Sequence, residues 1–242
     1  MTPVKSYHPN GLLEVEGFLA DNLQVGSWTY YHDNGVLFTK GQFNSEGIPF
    51  GVWTEYYPNG QVKYEAISEQ GNSFSLDSDY LQILNYWTED GKYLIQNGNG
   101  KLTIYFDNGN AEHTSIWTNN LKNGLLQEFY PSGQLNIERI YKNGVKDGES
   151  KIFHENANTY ISCFYQNGKP VASYKEWYKN GQICEEGFYT NEQYFIDNFW
   201  DETGTQRLYK GNGYVIRKEG AGEIDIYKQD FINYVMTNEK RL

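Results

Sequence analysis

Three of the four histidines in this 242-residue sequence stand three residues before a glycine or a small substitute for one. His8 precedes Gly11, His32 precedes Gly35 and His154 precedes Ala157. Imidazoles in register could ligate a metal or move protons near neutral pH, so the spacing asks what chemistry they serve. The same position holds Tyr57, Phe106, Tyr130 and Tyr178 elsewhere in the chain. A column shared by His, Tyr and Phe has no ligating atom in common, and the pattern supplies no further metal ligands. It reads as a packing position for a ring. His113 stands outside the column.

Acids form a second column. Glu16, Glu65, Glu138 and Glu186 each follow such a glycine by five residues, where other copies carry Lys40, Thr114 and Ser162. Acid–base work on one bond needs two carboxylates roughly 5–10 Å apart. Glu16 and Glu65 are two copies apart, about 20 Å if each copy is a pair of strands. The stripe is therefore expected to be solvated or to meet Lys and Arg, not to catalyse. Other chemistry fails on inspection. Gly100-Lys101 is followed by Leu102 where a phosphate loop needs a hydroxyl, and Asp77 and Asp79 lack the glycine of a calcium loop. Cys163 and Cys184 fall at different phases of neighbouring copies, about 10 Å apart by strand spacing, too far for a disulfide. Both are expected to be reduced. No catalytic residue, metal site or cofactor is expected.

What positions these columns is a repeated phrase. GSWTYYHDNG (26–35) returns as GVWTEYYPNG (51–60), then as GKLTIYFDNG (100–109), GLLQEFYPSG (124–133), GESKIFHENA (148–157) and ASYKEWYKNG (172–181). Its closing residues, Gly11, Gly35, Gly60, Gly109, Gly133, Ala157 and Gly181, step by 24 or 25 residues, apart from one double step between Gly60 and Gly109. That gap holds a degenerate copy at about 72–98, and Gly91 and Gly204 bring the turns to nine. The first position of the phrase is always small, the third mostly large and apolar, and the sixth always aromatic, from Tyr7 and Tyr31 to Trp177. Each copy reads as a β-hairpin, with Asn-Gly supplying the positive φ angles of a two-residue turn and a second turn leading onward.

Isolated hairpins are marginal in water, so successive copies must pair edge to edge. The expected fold is all-β: an elongated, solenoid-like single twisted sheet of about nine consecutive antiparallel hairpins. At about 10 Å per hairpin the sheet would be on the order of 90 Å long. Small-angle scattering should then give a maximum dimension of about 80–100 Å, and the radius of a compact globule would refute it.

Composition agrees, with 22 Tyr, 13 Phe, 6 Trp and 25 Gly against only 6 Pro. The formal net charge of −11 is dispersed along the chain. It disfavours nucleic-acid phosphates and anionic lipids, and it suits a basic protein partner. MTPVKSYHPNGLLEVEG has no apolar leader core, and no apolar run approaches spanning length. A soluble, cytoplasmic protein is expected.

The phrases GSWTYYHDNG and GVWTEYYPNG, on a step of about 24 residues with YKNGVKDG-type links between copies, resemble the bacterial MORN-variant repeat. The resemblance covers roughly residues 6–205, so 1–205 is expected to be the repeat array and 206–242 a C-terminal cap. It implies consecutive antiparallel hairpins and a non-enzymatic, protein-binding role. Many bacterial members are labelled antitoxins of toxin–antitoxin systems, or immunity proteins that would occlude a cognate toxin. A scaffolding module and a membrane-associated protein are the alternatives. Because regular copies repeat one surface, partner binding is expected at the irregular copy and beside it, through Trp53, Tyr57, Glu65, Asp79, Tyr80, Tyr86 and Trp87. Gly11, Gly35, Gly60, Gly109, Gly133 and Gly181 are expected to be structural turns.

Overall fold

The computed structural model describes residues 1–68, 81–219 and 225–241. Among them the regular elements are 21 β-strands, without a helix, and neighbouring strands run antiparallel. The chain forms two compact units. One comprises Met1–Ile104, Thr114–Gly124 and Lys142–Val145; the other comprises Tyr105–His113, Leu125–Tyr141 and Lys146–Leu242.

In chain order the strands begin with β1 (Thr2–Tyr7), β2 (Leu13–Ala20), β3 (Leu23–Tyr31), β4 (Leu37–Phe43), β5 (Pro49–Tyr56), β6 (Val62–Ser68), β7 (Leu81–Trp87), β8 (Tyr93–Gln96) and β9 (Asn99–Tyr105). From β1 to β9 each strand pairs with the next. Then come β10 (Ala111–Thr118), β11 (Leu121–Phe129) and β12 (Leu135–Lys142). The series ends with β13 (Val145–Phe153), β14 (Thr159–Gln166), β15 (Lys169–Trp177), β16 (Ile183–Thr190), β17 (Gln193–Trp200), β18 (Gln206–Tyr209), β19 (Asn212–Glu219), β20 (Asp225–Ile232) and β21 (Val235–Arg241). From β13 to β21 the pairing is again sequential. Residues 206–209 complete a ninth hairpin, and β19–β21 continue the ladder beyond it.

The turns differ from expectation in type. At Gly11, Gly35, Gly60, Gly109, Gly133 and Gly181 the φ angle lies between 79° and 89°, but the residue before each has negative φ. Gly35 N–H donates to the His32 carbonyl at 2.9 Å, while His32 N–H donates to the Val36 carbonyl at 2.8 Å. This is a three-residue loop, a type I turn closed by a left-handed glycine that forms a bulge. Pro9, Pro58 and Pro131 sit where a type I turn favours proline, which explains why Asn-Gly is not itself the turn here. All nine hairpins use this loop, including Thr88–Lys92 in the degenerate copy and Asp201–Thr205. Two-residue turns with both central φ angles positive do occur, but between copies, at Asn97-Gly98, Asn143-Gly144 and Asn167-Gly168 among others.

Each loop shifts the register by one residue. Glu55 faces Tyr64 while Tyr56 faces Val62, leaving Lys63 over. Glu176 faces Glu185 while Trp177 faces Ile183, leaving Cys184 over. A second irregularity sits at the phrase's first position, where Gly26, Gly51 and Ala172 have φ of 67°, 68° and 57°. That is why this position is small in every copy.

Rows of cross-strand partners assign the faces. In the first unit Ser6, Val15, Tyr30, Thr39, Glu55, Tyr64, Tyr86 and Ile95 form one row. Lys5, Glu16, Thr29, Lys40, Thr54, Glu65 and Asn85 form another, one residue out of phase and so on the opposite face. In the first unit the core lies on the first face and gathers Ala66, Leu81, Ile83, Tyr86, Ile95, Leu102 and Trp117. The second unit has its own cluster of Cys184, Ile196, Phe199, Leu208 and Val215. The third position of the phrase supplies core residues, including Trp28, Trp53, Leu102 and Leu126. The aromatic sixth position does not: Tyr7 is 59% exposed, and Tyr31, Tyr56 and Trp177 are half-buried.

Candidate binding surface

The histidine column has a hydrogen-bonding role in addition to packing. His8 Nε2 lies 2.9 Å from the Tyr31 carbonyl, His32 Nε2 lies 3.0 Å from that of Tyr56, and His154 Nε2 lies 3.0 Å from that of Trp177. A carbonyl only accepts, so Nε2 carries the proton in each ring. The tyrosines of the column make the same bond to the next copy. Tyr57 donates to the Trp87 carbonyl at 2.9 Å, Tyr130 to that of Phe153 at 2.7 Å, and Tyr178 to that of Trp200 at 2.8 Å. His and Tyr interchange because each carries a ring and a donor at its tip. His32→Tyr should therefore leave the melting temperature within a few degrees of wild type. His32→Phe keeps the ring but loses the donor, and should cost about 1 kcal/mol in denaturant unfolding. Equal stabilities for the two variants would contradict this role.

The turn asparagines tie copies together at the loop edge. Asn34 accepts the Val36 N–H on Oδ1 at 2.9 Å and donates through Nδ2 to the Pro58 carbonyl at 2.9 Å. Asn10 bridges in the same way to the Asp33 carbonyl, and Asn156 to that of Lys179. The Asn-Gly pair thus carries two separate functions: glycine closes its own loop, and asparagine staples the loop to its neighbour.

The acid stripe is engaged by the adjoining strands. Glu16 receives Lys5 at 3.0 Å and the Tyr31 hydroxyl at 2.9 Å, and these bonds hold its carboxyl below the usual range. Glu65 accepts from Asn85 at 2.9 Å, Glu138 from Gln127 at 2.9 Å, and Glu186 pairs with Lys175 at 2.9 Å. Such half-exposed cross-strand pairs support register more than they supply binding energy. Among the described residues no group of three His, Cys, Asp or Glu converges as a metal site, and Cys163 and Cys184 are buried and not joined in a disulfide.

The residues expected to bind a partner fall in different environments. Trp53 and Tyr86 are 6% and 3% exposed and belong to the core, so neither presents a surface. Within the degenerate copy Leu81, Ile83 and Tyr86 of β7 fill the inner face across a register shift, while Tyr93 on β8 is 50% exposed. Tyr57, Glu65 and Trp87 are half-buried, while Asp79 and Tyr80 lie outside the described residues.

A column that sequence reasoning overlooked sits six residues after the turn: Gly17, Gly41, Ala66, Ser115, Cys163 and Gly187 are small, while the copy closed by Gly133 carries Arg139 there. A methyl group at Gly17 would lie 2.3 Å from the Trp28 ring, and one at Gly41 only 2.1 Å from that of Trp53. Each indole lies flat on the bare backbone of the preceding hairpin. The signal was present in the sequence as a run of small residues in phase with the turn glycines.

Sequential hairpins, closed by one loop type and locked by shared columns, define a β-hairpin repeat protein. Four segments match the MORN repeat variant family: residues 24–45, 51–68, 122–143 and 171–191. Each match coincides with one hairpin, β3–β4, β5–β6, β11–β12 and β15–β16. The MORN repeat is a non-catalytic module that binds proteins or membranes. No curated protein matches the chain.

Proposed function

We propose that this chain is a protein-binding repeat protein that acts on a basic partner by occlusion, as an antitoxin or immunity protein. The observation that carries the reading is the exposed apolar surface of an otherwise acidic molecule. Phe18, Phe50 and Val52 are each more than two-fifths exposed in the first unit, as is Phe164 in the second. Exposed aromatic and branched side chains beside a polar row are what a desolvated protein interface uses. The net charge of −11 favours approach of a basic surface over nucleic acid or anionic lipid. The mechanism is steric and electrostatic cover, with no chemical step, in the cytoplasm.

Coexpression tests the reading. A basic protein encoded beside this chain should arrest growth of a host, and coexpression of the chain should restore it. A harmless neighbour, or a toxic one that this chain neither binds nor relieves, would leave the scaffolding alternative.

A further inference from the structure

In five hairpins the sixth residue before the turn position faces the fifth after it. Lys5 faces Glu16, Thr29 faces Lys40, Thr54 faces Glu65, Lys151 faces Ser162 and Lys175 faces Glu186. The four lysines of these pairs differ in one respect. Lys5 meets Glu16 at 3.0 Å, Lys151 meets Glu149 at 2.8 Å and Lys175 meets Glu186 at 2.9 Å. Lys40 has no carboxylate at ion-pair distance among the described residues, and its ammonium lies 5.6 Å from the centre of the Tyr56 ring. An aromatic face holds an ammonium in place but leaves its N–H donors available.

Lys40 stands in a groove of about 350 Å³ that crosses β3, β4 and β5 on the face opposite the core. Ser27, Thr29, Gln42 and Thr54 bring three hydroxyls and an amide to this groove. None of those side-chain groups is hydrogen-bonded within the described protein. Phe50 and Val52 form an apolar wall that the chain leaves exposed. Threonine flanks Lys40 on both neighbouring strands, as Thr29 and Thr54. The nearest acids of the row, Glu16 and Glu65, are each two strands away, about 10 Å. Glu16 is engaged by Lys5 and Glu65 by Asn85. The adjacent groove, lined by Lys5, Glu16 and Phe18, shows the same place with its charge neutralised from within.

We propose that the Lys40 groove receives an aspartate or glutamate side chain of the protein partner. The Lys40 ammonium neutralises the carboxylate, and the hydroxyls of Thr29 and Thr54 and the Gln42 amide donate to its remaining lone pairs. Phe50 and Val52 take the apolar surface around that acid. The groove is open, so a free ion would remain solvated there, and an exposed ion pair contributes little. A protein that also covers Phe50 and Val52 removes the water and strengthens the pair. The site then sorts among basic proteins: one without an acid at this place would leave the ammonium desolvated and unpaired. This inference rests on the protein-binding reading above and assigns one contact residue of that partner.

The test titrates the full chain with the peptide acetyl-Leu-Glu-Leu-amide and with its glutamine counterpart, followed through backbone amide NMR signals. The glutamate peptide is expected to shift Thr29, Lys40, Gln42 and Thr54 saturably at low salt, and to bind at least threefold more tightly than the glutamine peptide. Lys40→Met should erase that preference while leaving the melting temperature within a few degrees of wild type. Thr29→Glu supplies an internal carboxylate from the facing strand and should erase it as well. Equal affinity of the two peptides, or a preference that survives in Lys40→Met, would overturn the assignment even if Thr29→Glu failed to fold. A basic protein partner that binds wild type and Lys40→Met alike would leave the protein-binding reading standing without the groove. Carboxylate selectivity at Lys40 with no protein partner would leave the groove standing without that reading.

Discussion

Gly41→Ala is expected to destabilise the protein by about 3 kcal/mol, although alanine is the smallest side chain that can be added. The new methyl would sit 2.1 Å from two carbons of the Trp53 ring. The ring cannot simply step aside, because Phe43 meets it edge-on at 5.2 Å and Trp53 is buried. Gly41 does not have positive φ, so the cost is overpacking and not backbone strain. For a chain of this length, such a loss lowers the melting temperature by roughly 6–12 °C. The neighbouring copy shows the remedy: Ala66 carries the methyl, and its partner on β7 is Ile83 in place of an indole. Trp53→Leu should therefore cost less in the Gly41→Ala background than alone, with a coupling of at least about 1 kcal/mol in a double-mutant cycle. Strict additivity would mean that the indole and the glycine do not constrain each other.

Trp117→Ala should cost about 3–5 kcal/mol in denaturant unfolding, the range for emptying a buried aromatic site. Trp117 is buried in the cluster of Ala66, Leu81, Ile83, Tyr86, Ile95 and Leu102. Its indole N–H donates to Ser115 Oγ at 2.8 Å, and the Lys122 ammonium lies 6.0 Å from its ring centre. Truncation leaves a void, removes the donor to a buried hydroxyl and takes away the aromatic face beneath a buried lysine. Trp117→Phe keeps most of the volume and should lose less than half as much. A small loss for Trp117→Ala would mean that the first unit's core collapses readily around the vacancy.

The sequence was most informative where a position is fixed by backbone conformation. Left-handed φ tolerates few residues, so Gly11, Gly35 and Gly60 mark their loops without ambiguity, and even Ala157 holds φ at 71° within that frame. Hairpin identity and antiparallel order followed from that ruler. Loop type did not, because Asn-Gly suits two turn classes, and proline before the asparagine was the unused signal. The aromatic columns were harder. Every copy has rings at the sixth position, yet a bulge in each hairpin decides which ring faces inward, and bulges leave little trace in one sequence. The copy at 72–98 breaks the phrase and was expected to expose its apolar side chains, whereas Leu81, Ile83 and Tyr86 of β7 join the first unit's core.

Affinity capture from the native cell, with the full chain as bait and stoichiometry read by quantitative mass spectrometry at low and high salt, tests the central claim most directly. The account predicts one basic protein retained near equimolar ratio at low ionic strength and released as salt rises, because an acidic surface steers it. Stoichiometric retention of an acidic protein, or of lipid or nucleic acid in place of protein, would contradict it.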